Sequence, residues 1–343
     1  MSSDRRSNAP NPFAKEWDPG FSSPKNYQDD KCYVERREGN YSDDDHLDMF
    51  LEDAEDSVPS REVEEMRNFC QDVSTHDLIS RDGIPGKCRA RLDDREYPPQ
   101  AKKAPVRNSQ SLSASELYKL LKEPRFNNGG SPNADRRLIH IPNLDPHFIL
   151  ALAKTASQHQ VSVLREAIWK HLALQTAFGV KIPVRHRMYH LEFHFPYYAL
   201  RKLPATKACP PNPVHTKPPR QWIDLSFLGV NSPKSEVKQA DGIHESHISL
   251  VICGTHNSRW VGYAFDTDLD DEEVGEDEDP DPELNEDPAA WNGGKYVIDA
   301  NIPIWDPREY FLAIAETRMC QILKEWRNLV RALEQSINAY VRN

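Results

Sequence analysis

The chain has 343 residues, 27 of them proline, with a mean hydropathy of -0.74 and a formal net charge of -11. The length has room for two average domains, but so polar a composition leaves material for one packed core with long tails. Thirteen Asp and Glu, with no Lys or Arg, fall between 268 and 287, and the rest of the chain nets to +2; a surface so nearly balanced excludes a phosphate-backbone binder such as a nucleic-acid protein.

From residue 1 to about 60 the text is Pro, Asp, Ser and Arg with scattered aromatics, too poor in apolar residues to offset the entropy of ordering, and disorder is expected. It contains no apolar h-region, so no secretory signal is read. Six scattered cysteines suggest neither a disulfide framework nor a zinc ribbon. The thiols should be reduced and the chain cytoplasmic. No apolar run reaches the roughly 18 to 20 residues of a membrane helix. Ser60 can cap a short helix over 60–73. The folded body is expected to start near 111, where Ser113 and Glu116 form a capping box ahead of Leu117, Leu120 and Leu121.

A short strand over 138–141 leads to a helix with Asp145 as cap and Pro146 at its first position. Val161, Leu164, Ile168 and Leu172 then recur at helical spacing and predict a second helix. Next comes "HRMYHLEFHF", 186 to 195, with His186, His190, Glu192 and His194 at alternate positions. In an extended strand Tyr189, Leu191, Phe193 and Phe195 share one face, and His190, Glu192 and His194 the other. Two imidazoles and a carboxylate so placed can converge on one ion. They also suit the solvent face of a half-buried antiparallel strand. The spacing leaves both readings open and assigns no metal ligand; the polar side is expected to face water or a neighbouring subunit.

The six prolines of 202–221 read as an exposed connector. Two apolar runs, 247–253 and 259–265, flank "GTHN" and predict a hairpin. The acidic insertion 268–287 should be a solvated, disordered loop, since its spacing does not match a calcium-binding EF-hand. After "NIPIW", Asp306 and Pro307 open a pattern without Gly or Pro up to Asn343. Met319, Ile322, Trp326, Leu329, Leu333 and Ile337 or Tyr340 step by threes and fours, near the heptad period. Such a seam meets a partner helix, or packs on its own domain.

Nucleotide-binding glycine fingerprints, a Walker loop, and metalloprotease, nucleophile-elbow and kinase signatures are all missing. The chain is therefore read as non-enzymatic. In order, "LIHIPNLDPHFILALAKTASQHQVSVLREAIWKHLALQTAFGVKIP", "YHLEFHFPYYALR", "ISLVICGT", "RWVGYAFDTD" and "IPIWDPREYFLAIAETRMCQILKEWRNLV" resemble the soluble part of fungal CorA-like proteins, divergent relatives of the CorA divalent-cation transporters. The likeness covers about 110 to 341, and "WDPREYF" is its most specific word.

That resemblance implies an α/β fold, a mixed sheet with flanking helices, over 111–305. A mostly disordered region, 1–110, precedes it, and a long stalk-like helix, 306–343, follows. It implies a non-enzymatic cytosolic regulatory or oligomerisation domain of a magnesium or divalent-cation transporter. Homo-oligomers would form through Ile322, Trp326, Leu329 and Leu333, and Mg²⁺ would be the ion sensed. This chain has no Gly-Met-Asn motif and no membrane span, so the pore that makes longer relatives membrane proteins is lacking here. Two alternatives remain: a metal-binding protein or metal-dependent enzyme using His190, Glu192 and His194, and a stand-alone interaction protein.

Overall fold

A computed structural model describes residues 21, 32–36, 46–51, 60–79, 90–97, 111–127, 132–182, 188–204, 222–225, 239–267 and 286–342. Their elements run α1 (Tyr33–Arg36), α2 (His46–Leu51), α3 (Ser60–Phe69), α4 (Thr75–Ile79), β1 (Arg91–Arg95), α5 (Ala114–Lys122), β2 (Arg136–Pro142), α6 (Pro146–Thr155) and α7 (Val161–Leu172). They continue with β3 (Ala177–Lys181), β4 (Tyr189–Pro204), β5 (Trp222–Asp224), β6 (Gln239–His256), β7 (Arg259–Asp266) and α8 (Pro307–Arg342).

One mixed sheet has the order β1-β2-β7-β6-β4-β3, with β5 paired to β6. β2 and β7 are parallel and the other pairs antiparallel. Both faces are covered. Ile139, Ile141, Val251, Cys253, Val261, Tyr263 and Phe265 pack with the helices up to α7. The alternate residues Leu138, Tyr189, Leu191, Phe193, Leu250, Ile252, Trp260 and Ala264 pack with Tyr310, Phe311, Ile314 and Ala315 of α8. Two-residue alternation sorts side chains to two different helical layers, giving helices, sheet and helix.

The caps read from sequence are present. Ser113 and Glu116 make a reciprocal capping box, and Asp145 accepts from the amides of His147 and Phe148. Asp306 accepts from those of Arg308 and Glu309 at the start of α8. The hairpin forms with a later turn than expected: β6 runs through "GTH" to His256, and Asn257 and Ser258 make the turn. An irregularity between Gly254 and His256 shifts the register. A Cβ at Gly254 would lie 2.5 Å from the Tyr189 hydroxyl and 2.8 Å from the Arg259 carbonyl, so glycine is required by the close approach of the neighbouring strands β4 and β7.

Two sequence expectations need correction. The folded body does not begin at 111. β1 pairs with β2 at the sheet edge, and Phe50, Leu51, Met66, Leu78 and Leu92 are buried in the core beneath α6 and α7. Ser115 donates to the Leu78 carbonyl at 2.5 Å, Lys154 to the Thr75 hydroxyl at 2.8 Å and Arg165 to the Phe50 carbonyl at 2.6 Å. These early segments contribute a few apolar residues each, which no local periodicity reveals. The acidic insertion also ends differently: Asp287 is fully buried against Arg136 at 2.7 Å. Residues 268–285, the connector 205–221 and most of 1–60 lie outside the described residues, as do His186 and the expectations that concern them.

Candidate functional site

β4 supplies His190, Glu192 and His194 on one face by strand alternation, while Tyr189, Leu191 and Phe193 enter the α8-side core. The histidine face does not meet water. His190, Glu192 and His194 are 6%, 5% and 0% exposed, because α7 lies across this face. The expected solvent face is thus an interior layer, and its polar groups need partners.

Two lysines supply most of them. Lys170 Nζ lies 2.7 Å from Glu166 Oε1 and 2.6 Å from Glu192 Oε2. Lys181 Nζ, from β3, lies 2.5 Å from Glu166 Oε1 and 3.1 Å from Glu192 Oε1. Two carboxylates and two ammonium groups make a charge-balanced box. Burial alone would push both carboxyl pKa values up, but the surroundings outweigh it. The Lys170 and Lys181 ammonium groups pull Glu192 well below the ordinary glutamate range, and they pull Glu166 down as well.

The histidines divide in role. His194 Nδ1 sits 2.8 Å from the Ser249 hydroxyl, which is also 2.9 Å from His171 Nδ1. His194 Nε2 is 3.6 Å from Glu192 Oε2, beyond hydrogen-bond length. His171 in turn stacks on His247, their ring centroids 4.8 Å apart. His190 Nε2 is buried without a hydrogen-bond partner among the described residues. Burial, with Lys181 nearby, lowers the His190 pKa, and burial lowers that of His194. Both rings are neutral near pH 7, the form that donates a lone pair to a metal.

The group able to converge on an ion differs from the sequence trio. Glu166, His190 and Glu192 bring one donor atom each within 4.8 Å of one another, whereas His194 is turned to Ser249. Tetrahedral ligands about 2.0–2.1 Å from zinc stand roughly 3.4 Å apart, so this set would need to contract and give up a lysine. Glu166, Lys170 and Lys181 escaped the sequence reading because helix and strand meet only in three dimensions. The acidic-helix spacing Glu166-to-Lys170 was the one visible hint.

On the opposite face, a second polar network was also unforeseen. Arg136 is fully buried, 3.1 Å from Asp93 Oδ2 and 2.7 Å from Asp287 Oδ2, with its guanidinium over the rings of Tyr310 and Trp260. Burial opposes its charge, and Asp93 and Asp287 outweigh that cost, so it stays protonated. Tyr310 donates to Asp287, and Arg318 and His140 hold Asp266. This network fastens the first turns of α8 to β1, β2 and β7.

α8 leaves the body along its length. The structure divides the four seam residues predicted from sequence. Ile322 packs against the α8-side core and Leu329 is buried, whereas Trp326 is 42% exposed with one edge against Tyr198, and Leu333 is 38% exposed. A cleft of about 370 Å³ lies between α5 and the β2–β7 pair. Its Arg125 is committed to the carbonyls of Ala134, Asp135 and Trp260, and its Arg137 to Asp94.

Fold and site together define a three-layer mixed α/β domain carrying a buried Lys–Glu–His cluster and a long terminal helix. The chain matches no protein-family model, no curated protein and no solved structure.

Proposed function

We propose that this chain is a non-enzymatic regulatory or assembly module of the CorA-like kind, a body that presents α8 to another helix. The supporting observation is the apolar surface of α8 where it passes beyond its own sheet: Val330, Leu333, Ile337 and Tyr340 are exposed along one side. A helix of 36 residues is about 54 Å long, and its buried side chains end at Leu329, roughly two-thirds of the way along it. Order of elements supports the kinship too, with an α/β body followed directly by a long helix. Relation to divalent-cation transport rests on the sequence resemblance. Light scattering on the full chain tests the reading. A dimer or higher oligomer is expected at tens of micromolar, and a strict monomer overturns it.

A second reading, divalent-metal binding, is favoured by the unpartnered His190 Nε2 beside two carboxylates. Lys181, whose side chain is the more exposed of the two lysines, stands where an added cation would compete for Glu166 and Glu192. Titration with Co²⁺, read by its visible absorption, is expected to give one site that is lost in His190→Ala and retained in His194→Ala. A Lys181→Met variant should bind more tightly. No absorption change in either the native chain or Lys181→Met removes this reading.

A further inference from the structure

The cleft between α5 and the β2–β7 pair has no part in either reading above. Its volume, about 370 Å³, falls in the range of small-molecule sites. A hollow of about 60 Å³ adjoins it, sharing Arg125, Phe126, Gln160 and Val261. The inner wall is apolar: Ile139 of β2, Leu152 of α6, and Val261 and Tyr263 of β7 all belong to the core on this side of the sheet.

Two polar side chains at the cleft are fixed in place, and what they present is N–H. Arg125 is buried and donates to the carbonyls of Ala134, Asp135 and Trp260, with its guanidinium carbon 5.0 Å from the centre of the Phe126 ring. Gln160 Oε1 accepts from the Tyr263 hydroxyl at 3.1 Å and from the Ser157 amide at 3.3 Å. With its oxygen so engaged, the carboxamide turns its NH₂ donors to a ligand. Charge agrees with that bias. The lining cations Lys122, Arg125 and Arg137 face one lining carboxylate, Glu123, and Asp94 of β1 takes up Arg137 through two bonds. In this set one positive charge is left over, which suits an acceptor group bearing a single negative charge.

We infer that this cleft binds a medium-chain monocarboxylate, its alkyl chain against Ile139, Leu152 and Val261 and its carboxylate between Gln160 and Arg125. Lys122, exposed at the end of α5, stands at the mouth. Aliphatic walls reward the chain by removing it from water, and fixed donors spare the carboxylate the cost of leaving water unpaired. The assignment is separate from the assembly and metal readings, since none of its residues belongs to α8 or to the group Glu166, His190 and Glu192.

Calorimetric titration of the full chain with octanoate tests this, with octan-1-ol and acetate as comparisons. One octanoate per chain is expected, with a Kd on the order of 0.1 mM for so small a ligand. The alcohol lacks the charge and acetate lacks the chain, so each should bind about tenfold more weakly or worse. Gln160→Glu keeps an oxygen for Tyr263 and Ser157 but sets a carboxylate against the ligand's, and Lys122→Glu reverses the charge of an exposed side chain. Both are expected to weaken octanoate about tenfold while circular dichroism stays native. Cys32 lines the same cleft, so octanoate should slow its alkylation by iodoacetamide, read by peptide mass mapping, and leave that of exposed Cys320 unchanged. The assignment is overturned if octanoate does not bind, if octan-1-ol binds as tightly, if neither substitution moves the affinity, or if Cys32 is not protected.

Discussion

At Glu192, burial works against ionisation, and the ammonium groups of Lys170 and Lys181 work for it and prevail. Asp266 behaves alike: burial is outweighed by His140 and Arg318, which hold its carboxyl down to about 2. A carboxyl whose folded pKa lies below its unfolded value stabilises the fold above that unfolded value, and the contribution is lost as pH falls through the folded one. The unfolding temperature is therefore expected to decline from about pH 5 towards pH 2, with neutral His190 and His194 adding to the loss below about pH 6.5 because burial disfavours their protonation. Glu192→Gln should lower stability at pH 7 and flatten that acid limb, as pH-resolved calorimetry would show; an unchanged limb would count against the cluster. Arg136→Ala leaves Asp93 and Asp287 buried without their cation and should cost about 3–5 kcal/mol in a denaturant titration. Alternation in "YHLEFHF" was legible at this scale. The character of the polar face was not, because water and a covering helix both accept His and Glu, and Glu166 and Lys170 come from a different element.

Elements were the most legible level, since a cap or a helical period is local chemistry. Ser113, Asp145 and Asp306 announced three helix starts through side-chain oxygens that accept from first-turn amides. The hairpin turn was displaced by two to three residues because the Gly254 irregularity lets β6 continue to His256. In α8 the period was legible but its rotational setting was not. Ile322 and Leu329 lie one residue from Leu323 and Val330, so a seam of threes and fours can be drawn through either set. The sheet takes the first pair and leaves the second outside. Leu333→Asp, on the outer seam, is expected to abolish self-association in light scattering while moving the unfolding temperature of the body little. A comparable fall in both would place Leu333 in the body's own core.

For the whole molecule, the early segments matter more than composition suggests. Phe50, Leu51, Met66 and Leu78 fill the core under α6 and α7, and fully burying each large apolar side chain contributes about 1.5–3 kcal/mol. Deleting residues 1–80 should therefore give a chain that is insoluble or unfolds cooperatively only at much lower temperature. A 111–343 fragment, the domain suggested by sequence, would in addition lose the edge strand β1 and Asp93, the partner of Arg136. If either truncated chain unfolded at the native temperature in calorimetry, the described packing of these segments would be refuted. Among the described residues no helix is long and apolar enough to cross a membrane, so α8 meets its surroundings as an amphipathic rod.

The amino-acid order by itself determined the mixed α/β class, the helix caps, the alternation along β4 and the length of α8, because each depends on residues a few positions apart. Tertiary structure alone decided that the His190–His194 face is interior, that Asp287 is buried, that chain before 111 belongs to the core, and which side of α8 stays open. Those outcomes depend on what lies across from a surface, and residues tens to more than a hundred positions away supply it.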